Sequence, residues 1–263
     1  MKTSMRFVGL CLALSFLTAS FSSIVFAGAG GFTSVQNTTV LKQDTIKMTG
    51  GARFESGREY GTNIFGSTIE YDNFRVHPLK FEYGLGSIIN PQMPVQAGAS
   101  ISYSSNSGDL TGSGLEGISL FGQMKVNDNI SPQAGLKIAG SDDIAPYTND
   151  GLDLWFNVPA SVNLQGSPGS VYGEVGYTIK GGVLDNYANY GVGYRYELNN
   201  KTDVSAELAG HGKLATGTES FMELRGEADY ELGRDQYLTP SLSLGVSAGS
   251  PTFALGVEYS RTL

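Results

Sequence analysis

The chain has 263 residues, with 25 acidic against 17 basic side chains and a formal net charge of −8. An acidic chain without a basic patch excludes nucleic acid as a partner. A single cysteine, Cys11, excludes a disulfide scaffold and a cysteine metal centre, and no spaced cluster of metal ligands appears, so no cofactor and no metal are expected.

The elements follow in chain order. Lys2 and Arg6 precede an apolar run over 7–17, and Val25, Phe26 and Ala27 close the segment with a small residue. This is the pattern of a secretory signal over 1–27, removed after Ala27 and taking Cys11 with it. Residues 28–44 lack periodicity and are rich in Gly, Thr, Asn and Gln. They read as a leader.

From residue 45 onward, apolar and polar residues alternate. In 151–162, Leu152, Leu154, Phe156, Val158, Ala160 and Val162 share one parity, and Asp153, Trp155, Asn157, Pro159 and Ser161 take the other. Period two puts each set on one face of a strand. Such strands are predicted at 45–56, 74–86, 94–104, 115–127, 130–140, 150–162, 170–181, 187–199, 202–212, 219–232, 236–247 and 252–263. Each is close to the length a tilted strand needs to cross a hydrocarbon layer, about ten residues. Connections after even-numbered strands are compact turn clusters at 127–129, 199–201 and 233–235 and longer at 87–93 and 163–168, whereas 57–73 and 141–149 after odd-numbered strands are long. No linker divides 45–263, so one domain is expected.

The polar face is charged beyond what a dry core accepts: the tenth strand reads Glu223, Arg225, Glu227, Asp229 and Glu231. The apolar face carries rings near its ends, with Tyr196, Tyr230 and Tyr259 at one rim and Tyr103 and Tyr177 at the other. In these features the segment 45–263 resembles the Gram-negative outer-membrane β-barrels, porin-like proteins among them. The resemblance implies an all-β fold, a transmembrane antiparallel up-and-down β-barrel of about 12 strands. It also implies an outer-membrane location after export, contact with outer-membrane lipid and lipopolysaccharide, and recognition by the barrel-assembly machinery. The leader at 28–44 would then be periplasmic. Phe253, Leu255, Val257, Tyr259 and Leu263 alternate as a closing strand does in such barrels, and Arg261 interrupts them.

With the apolar set facing lipid, parity assigns Arg53, Lys80, Glu82, Lys137, Asp153, Trp155, Glu174, Arg195, Glu207, Glu223, Arg225, Glu227 and Asp229 to the pore lining. The expected function is a porin-like channel that passes small hydrophilic solutes by passive diffusion through a charged lumen, with a cation preference set by the acids of the tenth strand. Trp155, Phe121 and Tyr172 share the inward parity, either to stack on a solute ring or to fill space. A non-conducting structural or surface-interaction barrel is the alternative, supported by Tyr60, Ile64, Phe65, Ile69 and Tyr71 in the long segment 57–73. A hydrolase is the lesser alternative. The only histidines, His77 and His211, lack a His-x-Ser pairing and read as solvated loop or rim residues, and Asp142, Asp143 and Asp150 read as loop acids. No catalytic residue is assigned.

Overall fold

The structure is a computed structural model that describes residues 39–62, 67–88, 92–140, 151–181, 185–213 and 220–263. The signal at 1–27, most of the leader, Ile64, Phe65 and the loop carrying Asp142, Asp143 and Asp150 lie outside the described residues. The strands are β1 (Ile46–Thr62), β2 (Thr68–Ser87), β3 (Pro94–Gly108), β4 (Gly112–Met124), β5 (Gln133–Ala139), β6 (Leu152–Asn163), β7 (Gly169–Ile179), β8 (Tyr187–Asn199), β9 (Thr202–His211), β10 (Phe221–Gly233), β11 (Gln236–Gly245) and β12 (Phe253–Thr262). Each pairs antiparallel with its sequence neighbour, and β1 pairs with β12, from Lys47 opposite Thr262 to Ser56 opposite Phe253. The sheet closes into a barrel and leaves no edge.

The alternation is inverted relative to a soluble sheet. Leu154, Phe156, Val175, Val192, Leu224, Leu242 and Leu255 are exposed on the outside, and Tyr103, Tyr177, Tyr196 and Tyr230 are exposed near the ends of their strands. The buried interior is mostly polar or charged, its apolar members among the described residues including Tyr71, Phe121, Trp155, Pro159, Tyr187, Ala209, Phe221 and Ala254. Burying apolar surface is worth roughly 25 cal/mol per Å². A band of this kind therefore forgoes that stabilisation in water and regains it in hydrocarbon.

Two of the short turns share one device. Asn127 Oδ1 accepts the Asn129 N–H at 2.8 Å, and Asn199 Oδ1 accepts the Lys201 N–H at 2.9 Å. Both are Asx turns that replace a missing ladder bond with a side chain. In the first, Lys125 Nζ lies 2.7 Å from Asp128, and its hydrogen bond and charge hold that carboxyl below the usual range.

The segment 57–73 differs from the expected long loop. β1 and β2 continue as a hairpin, with Arg58 opposite Tyr71 and Thr62 opposite Thr68, because the ladder satisfies backbone groups that a loop would leave to water. Tyr71 is 3% exposed and faces inward.

Inward rings rest on glycines of the neighbouring strand. Trp155 of β6 lies over Gly135 of β5, where an added Cβ would stand 2.5 Å from Trp155 Cζ2 and 2.6 Å from the Leu120 carbonyl oxygen. Phe121 covers Gly98 in the same way, and its ring centroid lies 6.3 Å from that of Trp155. Gly135→Val is therefore expected to displace Trp155 and destabilise the barrel by about 2–3 kcal/mol. The check is loss of the heat-modifiable folded band on a gel, together with a red shift in emission from Trp155, the only tryptophan.

Candidate functional site

The interior holds as many buried bases as acids among the described residues: Arg53, Arg58, Arg75, Lys80, Lys137, Lys180 and Arg225 against Glu55, Glu82, Glu116, Asp153, Glu174, Glu207 and Glu223. Charges removed from water persist only when paired, since a lone buried charge costs several kcal/mol.

The pairing follows a geometric rule, in which long side chains meet across a strand that offers only small ones. Between β1 and β10, strands β11 and β12 present Ser241, Ser243, Ala254 and Gly256 on the inward parity. In front of them the Arg53 guanidinium from β1 grips Glu223 from β10 as a two-pronged fork, Nη1 to Oε1 at 3.2 Å and Nη2 to Oε2. Arg53 Nε also lies 3.2 Å from Glu55, whose other oxygen accepts Arg58 Nη1 at 2.8 Å. The same arrangement spans β3, whose Ser102 and Ser104 are buried and small, so that Arg75 of β2 reaches Glu116 of β4 with Nε 2.5 Å from Oε1. Two chords of charge therefore span the inner wall, one over β3 and one over β11 and β12.

Toward the loop-facing end, Lys180 Nζ meets Asp153 at 2.5 Å. Toward the short-turn end, Lys80 pairs with Glu82 at 3.0 Å, Arg225 with Glu227 at 2.5 Å and Arg195 with Asp229 at 3.1 Å. Gln96 donates to Gln123 at 2.8 Å and accepts the Leu41 N–H at 2.7 Å, which ties the segment before β1 to the inner wall.

Below the charged layer the interior opens. A cavity of about 540 Å³ lies at the short-turn end, lined by Asn163, Arg195, Glu197, Asn199, Lys201, Asp203, Asp229, Glu231 and Tyr237 among others. Beside Arg53, His77, Arg225 and Glu258 the free space is only about 10 Å³. The lumen is thus wide at one mouth, and at mid-height Glu55, Arg75, Glu116 and Glu223 are at most 1% exposed.

The sequence-assigned lumen residues fall into two groups. Arg53, Lys80, Glu82, Lys137, Asp153, Trp155, Glu174, Glu207, Glu223 and Arg225 are buried in the interior, and Arg195, Glu227 and Asp229 are half-buried, Arg195 and Asp229 lining the wide mouth. The expected excess of acids belongs to that mouth and is absent from the buried layer. Both histidines correct the solvated reading, since His77 is 4% and His211 2% exposed. The reason at His77 is Pro78: lacking an N–H, it breaks the ladder, and the register with β3 shifts between Val76 and Leu79.

That bulge also explains residues that parity alone missed. Above it Arg75 and His77 are inward, and below it Lys80 and Glu82 are, so the inward parity changes within one strand. A shift in β4, where Gly117 has φ +143°, brings Glu116 inside alongside Ser119 and Phe121. Another between Glu55 and Arg58 does the same for Arg58. Proline and glycine at these points were the available signals.

With this geometry in place, solved structures supply the comparison. An outer-membrane channel from Pseudomonas putida F1 superposes with a TM-score of 0.69 at 12% identity, over 88% of this chain and 100% of that one. The shared fold is a closed antiparallel β-barrel. The β domain of the Bordetella autotransporter BrkA matches with a TM-score of 0.55 at 15% identity, over 82% of this chain and 99% of that one. The translocator domain of the autotransporter NalP from Neisseria meningitidis matches at 0.51 and 13% identity, over 84% and 88%. At these identities the barrel likeness concerns the fold alone. No family model and no curated protein matches the sequence.

Proposed function

We propose that the chain is an outer-membrane channel for passive diffusion of small hydrophilic solutes, with a resting lumen closed by its two chords of ion pairs. The observation that carries this reading is the ionised interior joined to a mouth of about 540 Å³. A barrel that had only to be stable gains from apolar packing inside, because buried ion pairs contribute little net free energy. An interior kept ionic suits one that water enters. Export, insertion among outer-membrane lipid and lipopolysaccharide, and handling by the assembly machinery belong to the same proposal.

The mouth sets the expected selectivity. Arg195 neutralises Asp229 there, which leaves Glu197, Asp203 and Glu231 against Lys201. Carboxylates in a concave low-dielectric site raise the local concentration of cations. Ion conductance of the refolded protein in a planar bilayer under a salt gradient tests the reading, with discrete steps and a cation-leaning reversal potential as the expected result. Replacing Glu197 and Glu231 by Gln and Asp203 by Asn is expected to lower the cation-to-anion permeability ratio by about half at low salt. An unchanged ratio would assign selectivity elsewhere.

The non-conducting barrel is favoured by a specific observation, the buried mid-height layer in which Glu55, Arg75, Glu116 and Glu223 are at most 1% exposed. A folded, inserted protein that stays silent in both wild type and chord variants would support it. The hydrolase reading needs a histidine near the lipid face, and both histidines are inside.

A further inference from the structure

Toward the loop-facing end of the lumen, β8, β9, β10 and β1 bring together a stack of side chains that the charged chords do not require. His211, the last residue of β9, lies face to face with Phe221, the first of β10, with ring centroids 5.1 Å apart and planes 5° from parallel. Tyr187, the first of β8, packs against the imidazole from the other direction at 5.0 Å. Arg58 reaches over from β1 and sets its guanidinium carbon 5.0 Å from the centre of the Phe221 ring. All four side chains are at most 3% exposed. The stack repeats, one level nearer the loops, the β1-to-β10 span of the Arg53 and Glu223 fork.

The hydrogen bonding of His211 suits the neutral ring. Nδ1 sits 2.6 Å from the Gly212 carbonyl oxygen, which can only accept, so Nδ1 carries the proton. Nε2 is buried and has no hydrogen-bond partner among the described residues. A second proton would therefore place an N–H and a charge where no acceptor waits. The charges acting on the ring are the cations Arg58 and Lys180. Each is already committed to its own carboxylate, Arg58 to Glu55 at 2.8 Å and Lys180 to Asp153 at 2.5 Å. On β10, Glu223 is held in the Arg53 fork. On β9 itself Glu207 lies two inward positions deeper and takes the Tyr172 hydroxyl at 3.3 Å. Tyr187 is the titratable group presented by β8.

We propose that the Tyr187, His211, Phe221 and Arg58 stack is an acid-released latch over the loop-facing end of the lumen. Protonation of His211 expels the ring from between its neighbours, and Arg58 loses the face of Phe221 against which it is held. The effect on conductance rests on the channel reading above; the ring movement does not.

Two measurements on the refolded full barrel test this. In planar bilayers, lowering the pH on the loop side from about 7.5 to about 5 is expected to raise open probability roughly tenfold in wild type and to leave His211→Phe unchanged, since phenylalanine stacks but takes no proton. In detergent micelles, the ¹⁵N-histidine signal missing from His211→Phe identifies His211. It is expected to report the Nδ1-protonated neutral ring at about pH 7.5 and to lose the ring-current shift of Phe221 as it protonates. The same acid response in both proteins, or a protonated His211 that keeps its ring-current shift, overturns the latch. A protein silent at every pH overturns the channel reading, and the ring measurement then decides the latch by itself.

Discussion

Replacing Arg53 and Glu223 together by serine is expected to raise single-channel conductance severalfold. The two side chains form the chord from β1 to β10, and directly behind them β11 and β12 offer Ser241, Ser243, Ala254 and Gly256, with Glu258 of β12 the nearest long side chain. Removing both partners leaves no orphaned charge of that fork, whereas Arg53→Ser alone strands Glu223 and Glu223→Ser alone releases one arm of Arg53. The single variants should therefore unfold at lower denaturant, by about 3–5 kcal/mol of lost stability, while the double variant loses much less. A planar-bilayer comparison of the four proteins checks both effects. Unchanged conductance in a well-folded double variant would place the constriction elsewhere, with the chord from Arg75 to Glu116 the next to test.

The second chord carries a stability effect as large. Glu116→Leu removes the carboxylate 2.5 Å from Arg75 Nε in a place where both residues are at most 1% exposed. Arg75 cannot shed its proton, so the variant keeps a buried cation facing a leucine. Loss of about 3–5 kcal/mol is expected, read as a lower urea midpoint for the folded band. Arg75→Met with Glu116→Leu should recover most of it, because an apolar pair of similar volume carries no desolvation cost. Failure of the double replacement to recover stability would mean that the arginine is held by more than this carboxylate.

The second chord and the latch share an origin in backbone irregularity. Arg58, Arg75 and Glu116 each lie beside a register shift, and each is inward although the parity of its strand on the other side of that shift points it outward. A bulge adds one residue to one strand and so turns the following side chains to the other face. Three such shifts in the first four strands bring charges from both halves of the pleat into one lumen. This is why continuous parity points to the inward residues of β6 to β10 and passes over Arg58, Arg75 and Glu116 on β1, β2 and β4.

Much of the molecule is nonetheless legible in its residues one after another. Strand number, the apolar exterior, the ringed rims and the short turns at 127–129, 199–201 and 233–235 depend on side-chain period and on residues within a few positions, which are local quantities. The candidate site depends on which strands face each other once the sheet has closed. Arg53 and Glu223 are 170 residues apart and meet only because β1 pairs with β12 and because β11 and β12 are lined with small residues. The inside of His77 and His211 was likewise decided in three dimensions, by a proline bulge in one case and by the stack of rings from β8 and β10 in the other. Alternation states that a residue belongs to a face. Closure of the barrel, with its bulges, determines which face that is and what charge lies across from it.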